Sequence, residues 1–219
     1  MKEEWRDNIA RLLALAVFCI GTVAAGGGIA FIQKPAGVLY LLLWLVWGGM
    51  TMLLAVRGSA SSYNRNQFLA MKVLGAIAIP LLILGAPWEY ANFAGPIPRN
   101  GILSYIGLAV LAIGVALQAA SMLELRGAYT SKLGIQKGQH LVTTGPYRFV
   151  RNPGYLGFTL QILGSGLALS SIIGLLYVVP VVVFIIWRTG REESMLIAEF
   201  GKEYEAYMKE TKRLIPFVY

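Results

Sequence analysis

Long uncharged stretches separate the charged residues of this chain, and their lengths predict helices that cross a membrane. Between Arg11 and Lys34 lie 22 uncharged residues, and another 22 lie between Lys34 and Arg57. A helix needs roughly 20 consecutive apolar residues to cross about 30 Å of hydrocarbon. Each stretch therefore predicts one spanning helix, with a short turn at Lys34 and the proline that follows it.

Two more apolar stretches precede the polar C-terminal third. One covers residues 73–88 and contains Pro80, which a membrane helix tolerates when neighbouring groups bond the carbonyl that the ring frees. The other covers residues 100–123. Between them, residues 87–100 are rich in proline, glycine and aromatic side chains, a composition typical of a loop at the membrane interface. The pattern thus predicts four spans before the last apolar stretch.

The last apolar stretch is too long for a single crossing. Arg151 and Arg188 are separated by 36 uncharged residues, which as one helix would extend about 54 Å at 1.5 Å per residue. Divided into two helices of about 18 residues, the same stretch crosses a bilayer twice. Ser170 and Ser171 lie near its middle and predict the turn, and Pro180 is expected to bend the second arm. We therefore expect a helical hairpin.

Composition and charge support a membrane protein and predict its orientation. The chain is 57% hydrophobic and 14% charged, whereas soluble domains carry about 25% charged residues. With a cytoplasmic N-terminus, 17 of the 19 lysines and arginines lie on the cytoplasmic side, and only Lys34 and Arg99 face outward. This bias predicts that both termini are cytoplasmic. Contact with membrane lipid headgroups also accounts for the net charge of +8 without a nucleic-acid partner.

Polar segments flank the hairpin on both sides, at residues 126–152 and 187–219. Apolar and aromatic side chains recur at helical spacing in the second segment, which predicts an amphipathic helix folded under the bundle or onto the headgroups. We thus divide the chain into N-terminal transmembrane helices at 1–125 and a C-terminal unit at 126–219, made of a cytoplasmic loop, the hairpin and the amphipathic helix. The apolar stripe consists of Leu196, Phe200, Tyr204 and Tyr207, and the opposite face carries Lys202, Glu203 and Glu205.

Charged side chains stand at both ends of the hairpin. Arg148 and Arg151 precede the first arm, and Arg191, Glu192 and Glu193 follow the second. A hairpin returns its two ends to one membrane face, so the two groups should be neighbours in space. Two interpretations stay open. The opposite charges pair with each other as a structural contact, or they jointly hold a zwitterionic ligand, with carboxylates for an ammonium group and guanidinium groups for a carboxylate.

Other candidate sites carry weaker signals. The chain has one histidine, His140, and one cysteine, Cys19, which excludes a metal site built from several histidines or cysteines, and we predict no metal. Glu124, at the cytoplasmic end of the fourth span, is interpreted as an interfacial charge. The glycines at 26–28 follow no strand and precede no Lys-Ser or Lys-Thr pair, so they indicate close helix packing rather than a phosphate loop.

Two spaced motifs bracket the hairpin and carry a family resemblance. The first is His140-Leu-Val-x-x-Gly-x-Tyr-x-x-x-Arg-Asn-Pro-x-Tyr155. The second is Glu192-Glu193-x-x-Leu-x-x-x-Phe-Gly-x-x-Tyr-x-x-Tyr207, followed by Arg213 and Pro216. Over these 77 residues the chain resembles the superfamily of isoprenylcysteine carboxyl methyltransferases and phospholipid methyltransferases. The resemblance is specific for the fold and the cofactor, and it says little about the methyl acceptor.

The resemblance implies a small membrane bundle. Together with the predicted spans, this gives an all-α fold, a polytopic membrane helix bundle of four spans plus the C-terminal hairpin. It implies S-adenosyl-L-methionine as the cofactor, bound in a cytoplasmic pocket formed by the C-terminal segments, and it makes residues 126–219 the methyltransferase core. Arg151 and Glu193 are implied as catalytic. The residues implied in cofactor binding are His140, Leu141, Tyr147, Arg151, Asn152, Tyr155, Arg191, Glu192 and Glu193.

One position departs from the family pattern. The eukaryotic carboxyl methyltransferases have Arg-His-Pro where this chain has Arg151, Asn152 and Pro153. Asparagine does not titrate, so it cannot act as a base here, although it can still form hydrogen bonds. A carboxylate or thiolate acceptor needs no strong base, whereas an amine must first lose a proton.

We therefore expect methyl transfer to a lipophilic or lipid-linked acceptor at the cytoplasmic face, with an isoprenylcysteine-type carboxylate as the first candidate. A phospholipid amine and a small lipophilic thiol stay open as acceptors. Two other classes also stay open: an NADPH-dependent membrane reductase of the sterol type, which is distantly similar in its C-terminal region, and a non-enzymatic scaffold or transporter. The glutamate pair favours a ligand with an ammonium group over a 2′-phosphate, and the nearly uncharged spans argue against an ion path.

Overall fold

The computed structural model describes residues 2–54, 84–93, 98–125 and 140–215. Within these ranges the regular structure is helical, apart from an isolated parallel bridge between Val150 and Lys212. A short 3-10 helix covers Gly145–Arg148. The α-helices are α1 (Lys2–Ala25), α2 (Ile29–Ile32), α3 (Pro35–Leu54), α4 (Ala86–Asn92), α5 (Ile102–Glu124), α6 (Pro153–Ala168), α7 (Ile172–Phe200) and α8 (Lys202–Glu210).

Three of the described helices are long and apolar enough to cross a membrane, namely α3, α5 and α7. Helices α3 and α5 confirm the second and fourth apolar stretches as candidate spans. The third predicted span, at residues 73–88, lies mostly outside the described residues.

The first apolar stretch forms a helix and a turn rather than one continuous span. Helix α1 ends at Ala25, so its apolar part, Leu12–Ala25, is shorter than the 22 residues predicted. Gly27 and Gly28 have φ angles of 94° and 68°, in the left-handed region that glycine adopts without strain. These two glycines turn the chain into α2, so the packing role predicted for them is wrong. Gly26 does pack closely, because a Cβ atom there would lie 2.5 Å from the Phe31 ring.

Helix α4 covers the first residues of the segment predicted as an interfacial loop. The loop prediction is therefore wrong for residues 87–92. Pro87 lies in its first turn, where a helix does not use the missing N–H. Glu89 of α4 is buried, and its carboxylate accepts hydrogen bonds from the Ser171 hydroxyl at 2.5 Å and from the next two backbone N–H groups at 3.1 and 3.0 Å. A carboxylate satisfies the unpaired N–H groups at a helix N-terminus and is favoured by the helix dipole. This contact attaches α4 to the start of α7.

The predicted hairpin is confirmed, with its turn at Ser170 and Ser171. Helix α6 ends at Ala168 and α7 begins at Ile172. The second arm continues as one helix to Phe200, well past the arginine at which the apolar stretch ends. The bend expected at the proline inside α7 stays a prediction.

The predicted amphipathic stripe is divided between two helices. Gly201, with a φ of 53°, separates α7 from α8 and redirects the chain, so a single continuous helix was the wrong prediction. The two faces themselves are confirmed on α8, where Tyr204 and Tyr207 are buried. The exposed face of α8 carries Lys202, Glu203 and Glu205.

Helices α5 and α6 pack with their backbones in contact. A Cβ atom on Gly114 of α5 would lie 2.6 Å from the carbonyl oxygen of Gly157 on α6. Farther along the same interface, a Cβ atom on Gly164 would lie 2.7 Å from the carbonyl oxygen of Gly107. Small residues let membrane helices approach this closely. The four glycines therefore fix how α6 lies on α5.

Polar side chains join α3 to the same pair of helices. The Gln118 Oε1 atom of α5 accepts hydrogen bonds from Gln161 Nε2 of α6 and from Trp47 Nε1 of α3, each at 2.7 Å. Both glutamines are buried. A polar group in an apolar interior is costly unless it is hydrogen-bonded, so these bonds favour one arrangement of the three helices. The start of α6, where the candidate site lies, is held by this arrangement.

Candidate active site at the open end of the hairpin

Four segments meet at the end of the hairpin opposite its turn: the segment leading into α6, the last turns of α7, helix α8, and the residues after α8, here named the C-terminal strap (residues 211–215). The backbone N–H of Arg151 donates to the Lys212 carbonyl at 2.8 Å. Asn152 Nδ2 donates to the Arg213 carbonyl at 2.9 Å. The C-terminal strap therefore lies alongside the start of α6.

Two arginines hold Glu193, which lies in the last turns of α7. Arg151 Nε lies 2.8 Å from Glu193 Oε1, and Arg213 Nη2 lies 2.5 Å from Oε2. The side chains of Glu193 and Arg151 are 4% and 8% exposed, so solvent screens their attraction only weakly. We name these three residues the Glu193 cluster. It ties α7, the start of α6 and the C-terminal strap together at one carboxylate.

Arg151 also binds the end of α8. Its Nη1 atom donates to the carbonyl oxygen of Met208 at 3.2 Å and to that of Thr211. The last carbonyls of a helix lack partners within the helix, and a cation there is favoured by the helix dipole. Arg151 thus fixes α8 and the C-terminal strap against α6, a structural role that the motif alone does not predict.

A second cluster lies beside the first and consists of Glu192, Tyr155 and Arg188. The Oε1 atom of Glu192 accepts hydrogen bonds from the Tyr155 hydroxyl at 2.6 Å and from Arg188 Nε at 3.1 Å. Arg188 Nε also donates to the Tyr155 hydroxyl. The Glu192 side chain is 24% exposed, and both of these bonds go to the same oxygen. In this Glu192 cluster, neither of the two hydrogen bonds uses Oε2.

Arg188 occupies the place beside Glu192 that the sequence analysis assigned to Arg191. Arg188 precedes Glu192 by four residues, and this spacing brings two side chains together on a helix. The spacing therefore signals this contact in the sequence, where Arg188 also marks the end of an apolar stretch. Arg191 is exposed, and its guanidinium carbon lies 5.2 Å from the centre of the Trp187 ring. One residue of helix turns by about 100°, so the side chain of Arg191 leaves α7 about 100° away from that of Glu192. The structure does not bring Arg191 to the glutamates, and its role in cofactor binding stays a prediction.

The remaining predicted residues lie in the segment before α6. His140 is exposed and Leu141 is half-buried, and no contact ties either to the two clusters among the described residues. Tyr147 is held through its backbone, because its carbonyl accepts a hydrogen bond from the Tyr207 hydroxyl of α8 at 2.6 Å. Burial raises the pKa of Tyr207 to about 12, so this hydroxyl keeps its proton at neutral pH and remains a donor.

Together the two clusters contain three arginines and two glutamates, an excess of one positive charge. Both carboxylate oxygens of Glu193 pair with arginines, so its contacts agree with the interpretation that the opposite charges pair with each other. For Glu192 the ligand interpretation stays open, because its side chain is partly exposed. Across the described ranges, no three His, Cys, Asp or Glu side chains converge in a way that could hold a metal ion.

Proteins similar to this chain include several protein-S-isoprenylcysteine O-methyltransferases. A probable one from Oryza sativa subsp. indica is 30% identical over 119 residues, which make up 53% of this chain and 62% of the rice protein. Protein-S-isoprenylcysteine O-methyltransferase B of Arabidopsis thaliana is 28% identical over 146 residues, 65% of this chain and 74% of the plant protein. The chain thus spans about three fifths of the length of its rice relative.

Residues 102–203 match the phospholipid methyltransferase family. The match begins with α5, includes the whole hairpin, and contains every member of the two clusters except Arg213. This part of the chain is similar to the superfamily of isoprenylcysteine carboxyl and phospholipid methyltransferases. The resemblance seen in the two sequence motifs is therefore confirmed at the level of the superfamily.

The fold agrees with a solved structure of this superfamily. That structure is of the eukaryotic intramembrane Ras methyltransferase, an isoprenylcysteine carboxyl methyltransferase. The two structures superpose with a TM-score of 0.61, and the match covers 93% of this chain and 75% of the other chain at 21% sequence identity. At this identity the likeness concerns the fold. The all-helical membrane architecture is confirmed, and the chain is an integral membrane protein. The predicted number of spans involves residues outside the described ranges.

Proposed function

We propose that this chain is a membrane methyltransferase that uses S-adenosyl-L-methionine and methylates a lipophilic acceptor through a carboxylate of the isoprenylcysteine type. The observation that carries the proposal is the partly exposed Glu192 cluster, set against the buried Glu193 cluster at the open end of the hairpin. The names of the relatives support the reaction type. The clusters supply the charges that the two proposed substrates require.

The residues fit the amino-acid end of the cofactor, which carries an ammonium and a carboxylate group. Glu192 Oε2 can accept a hydrogen bond from the ammonium group, and the Arg213 guanidinium, whose side chain is 28% exposed, can bind the carboxylate. When bound, the cofactor supplies a methyl group that its sulfonium has already activated. The protein then contributes mainly orientation and exclusion of water, and positioning can lower a barrier by roughly 7–11 kcal/mol in ideal cases.

Arg151 and Glu193, the residues first assigned to catalysis, are proposed to act by holding the site together. Their ion pair is buried, and Arg151 also bonds the end of α8. Asn152 contributes a hydrogen bond to the C-terminal strap and cannot titrate. The site thus works without a base at this position.

The excess positive charge of the clusters favours an anionic acceptor. A carboxylate oxygen is already a nucleophile and releases no proton when it is methylated, so no base is needed. An aminophospholipid is the second candidate, because residues 102–203 match a family named for phospholipid methylation. An amine must lose a proton, and among the described residues of the two clusters the partly exposed Glu192 has a carboxylate oxygen to take it.

We further propose that the site faces the cytoplasm and that the acceptor reaches it from the bilayer. The orientation rests on the distribution of 17 of 19 lysines and arginines. In a variant whose Cys19 is replaced by alanine, a cysteine introduced next to Tyr219 should resist a membrane-impermeant thiol reagent in intact cells and react after lysis. Labelling in intact cells would contradict the orientation.

The acceptor is tested with purified protein, methyl-labelled S-adenosylmethionine and three matched compounds. These are farnesylated N-acetylcysteine, the same compound with its carboxylate converted to an amide, and phosphatidylethanolamine. We expect label in the organic phase only with the free carboxylate, in a product that mild base hydrolyses to labelled methanol. Base-stable label on phosphatidylethanolamine would favour the second candidate. Absence of both cofactor binding and transfer would overturn the proposal.

Tail length provides a second test of access from the bilayer. Burial of each methylene contributes about 0.8 kcal/mol, so the apparent KM should fall by up to roughly fourfold for each added methylene until the tail is fully buried. A KM independent of tail length would contradict access from the bilayer while leaving methyl transfer intact.

A further inference from the structure

We propose that Glu124 is a positioning residue for the segment that leads into α6, and that it acts through Thr144. The inference rests on the proposed function, because that segment carries residues assigned to the cofactor. Glu124 is the last residue of α5. Its Oε1 atom accepts a hydrogen bond from the Thr144 hydroxyl, 20 residues farther along the chain. Glu124, predicted from sequence to be an interfacial charge, therefore has a specific partner in Thr144.

The backbone beside Thr144 is shaped around the same carboxylate. Gly145 has a φ of 58°, and a Cβ atom there would lie 2.7 Å from Glu124 Oε2. Both the conformation and the space thus require glycine. Gly145 begins the 3-10 helix, in which the Tyr147 N–H donates to the Thr144 carbonyl at 3.0 Å. The position of the Glu124 carboxylate consequently sets where this turn begins.

Helix α8 holds the same turn from the other side, where the Tyr207 hydroxyl donates to the Tyr147 carbonyl at 2.6 Å. Residues 144–147 are therefore clamped between the end of α5 and α8. Among the described residues, the Glu124 side of the clamp consists of one side-chain hydrogen bond. Loss of that bond should loosen the turn and weaken cofactor binding, and it should leave the rate at saturating cofactor unchanged, because Glu124 touches no reacting atom.

Two substitutions separate this role from a general effect of charge. Glu124→Leu removes the acceptor, whereas Glu124→Gln keeps an oxygen to which the threonine hydroxyl can donate. For Glu124→Leu we expect the Kd and KM for S-adenosylmethionine to rise on the order of 3- to 10-fold, the effect of one lost hydrogen bond, with kcat unchanged. Glu124→Gln should restore most of the affinity. Glu205→Leu, on the exposed face of α8, is the matched control.

A double-mutant cycle identifies the partner. Thr144→Val should weaken binding as much as Glu124→Leu, and the double variant should be no weaker than either single variant if the two side chains act as one pair. Additive losses in the double variant would contradict the pairing.

Hydrogen–deuterium exchange of the ligand-free protein tests the clamp without the cofactor. The backbone amides of Gly145, Tyr147, Arg148 and Phe149 should exchange faster in Glu124→Leu than in the wild type, and at the wild-type rate in Glu124→Gln. Unchanged exchange and affinity in Glu124→Leu would overturn the inference. An equal loss of affinity in Glu124→Gln would also overturn it, because the charge would then act on the ligand directly. A wild-type protein that binds no cofactor would contradict the proposed function, and the exchange result would still decide the clamp.

Discussion

Replacing Glu193 with glutamine should destabilise the protein rather than only weaken its affinity for the cofactor. The Glu193 side chain is 4% exposed, and its two oxygens pair with Arg151 and Arg213. A neutral amide leaves both guanidinium groups without their counter-charge. Removing one partner of a buried ion pair costs about 3–5 kcal/mol. The more exposed Arg213 pair adds at most about 1 kcal/mol, because solvent screens it.

The assay is thermal unfolding of the purified protein in detergent. For a chain of this length, each kcal/mol shifts Tm by roughly 2–4 °C, so Glu193→Gln should lower Tm on the order of 10 °C. Glu205→Gln, which removes an exposed carboxylate from α8, should stay within about 0.5 kcal/mol of the wild type. Replacing Arg151 with methionine and Glu193 with leucine together should cost less than the sum of the single changes, since neither charge is then left buried alone.

A Glu193→Gln protein with the Tm of the wild type and a cofactor affinity at least tenfold lower would refute this reasoning. Such a result would mean that the Glu193 carboxylate faces the ligand and that its pairing with the arginines contributes little to folding. A lower Tm together with normal affinity at low temperature would support the structural role, because the site would then form whenever the protein is folded.

The other predictions concern single contacts. Glu192→Gln should lower Tm less than Glu193→Gln does, because the Glu192 side chain in its pair with Arg188 is 24% exposed. It should weaken binding of S-adenosylmethionine by roughly 10- to 100-fold in calorimetry, because a hydrogen bond to a charged group contributes about 1.5–3 kcal/mol. Gly114→Ala should lower Tm by several degrees, because its Cβ would lie 2.6 Å from a carbonyl oxygen of α6 and overpacking costs about 1–3 kcal/mol. Gly49→Ala is the control and should leave Tm unchanged, because a Cβ there meets no atom within 4 Å. Arg191→Ala tests the predicted role of Arg191 in cofactor binding: an unchanged affinity would remove Arg191 from the site, in agreement with the position of its guanidinium over the Trp187 ring. Tyr207→Phe should reduce the loss of stability at alkaline pH: the pKa of Tyr207 is about 12 when folded and about 10 when unfolded, so its contribution is present below pH 10 and is lost as the pH rises toward 12.

The hairpin could be predicted from sequence because its signal is a length set by the bilayer. A charged side chain within hydrocarbon is costly, so the 36 uncharged residues between Arg151 and Arg188 bound a membrane segment, and one helix of that length is too long for one crossing. The same argument found the turn at Ser170 and Ser171, whose short polar side chains lie near the middle. Proximity of the charged residues at the two ends followed from the hairpin alone.

The breaks within apolar stretches could not be predicted by that argument. Gly27, Gly28 and Gly201 end or redirect helices through left-handed φ angles. The spacing of charged residues carries no information on backbone conformation. The choice between Arg188 and Arg191 likewise depends on where the helix ends. The charge pattern places the end of the apolar stretch at Arg188, but α7 continues for 12 residues beyond it, so Arg188 lies on the helix face that carries Glu192.

Residue size along the hairpin explains why the clusters form at its open end. Near the turn, a Cβ atom on Gly166 of α6 would lie 2.8 Å from the backbone nitrogen of Leu175 on α7, so the two arms touch there through their backbones. Toward the open end, larger side chains lie between the arms, and Tyr155 bridges them through Arg188 and Glu192. The other side of α6 is fixed on α5 by glycine contacts along its length. Side chains of α6 and α7 can therefore meet only where larger residues hold the two helices apart. This places the charged residues together at the open end of the hairpin, which the proposed cofactor must reach.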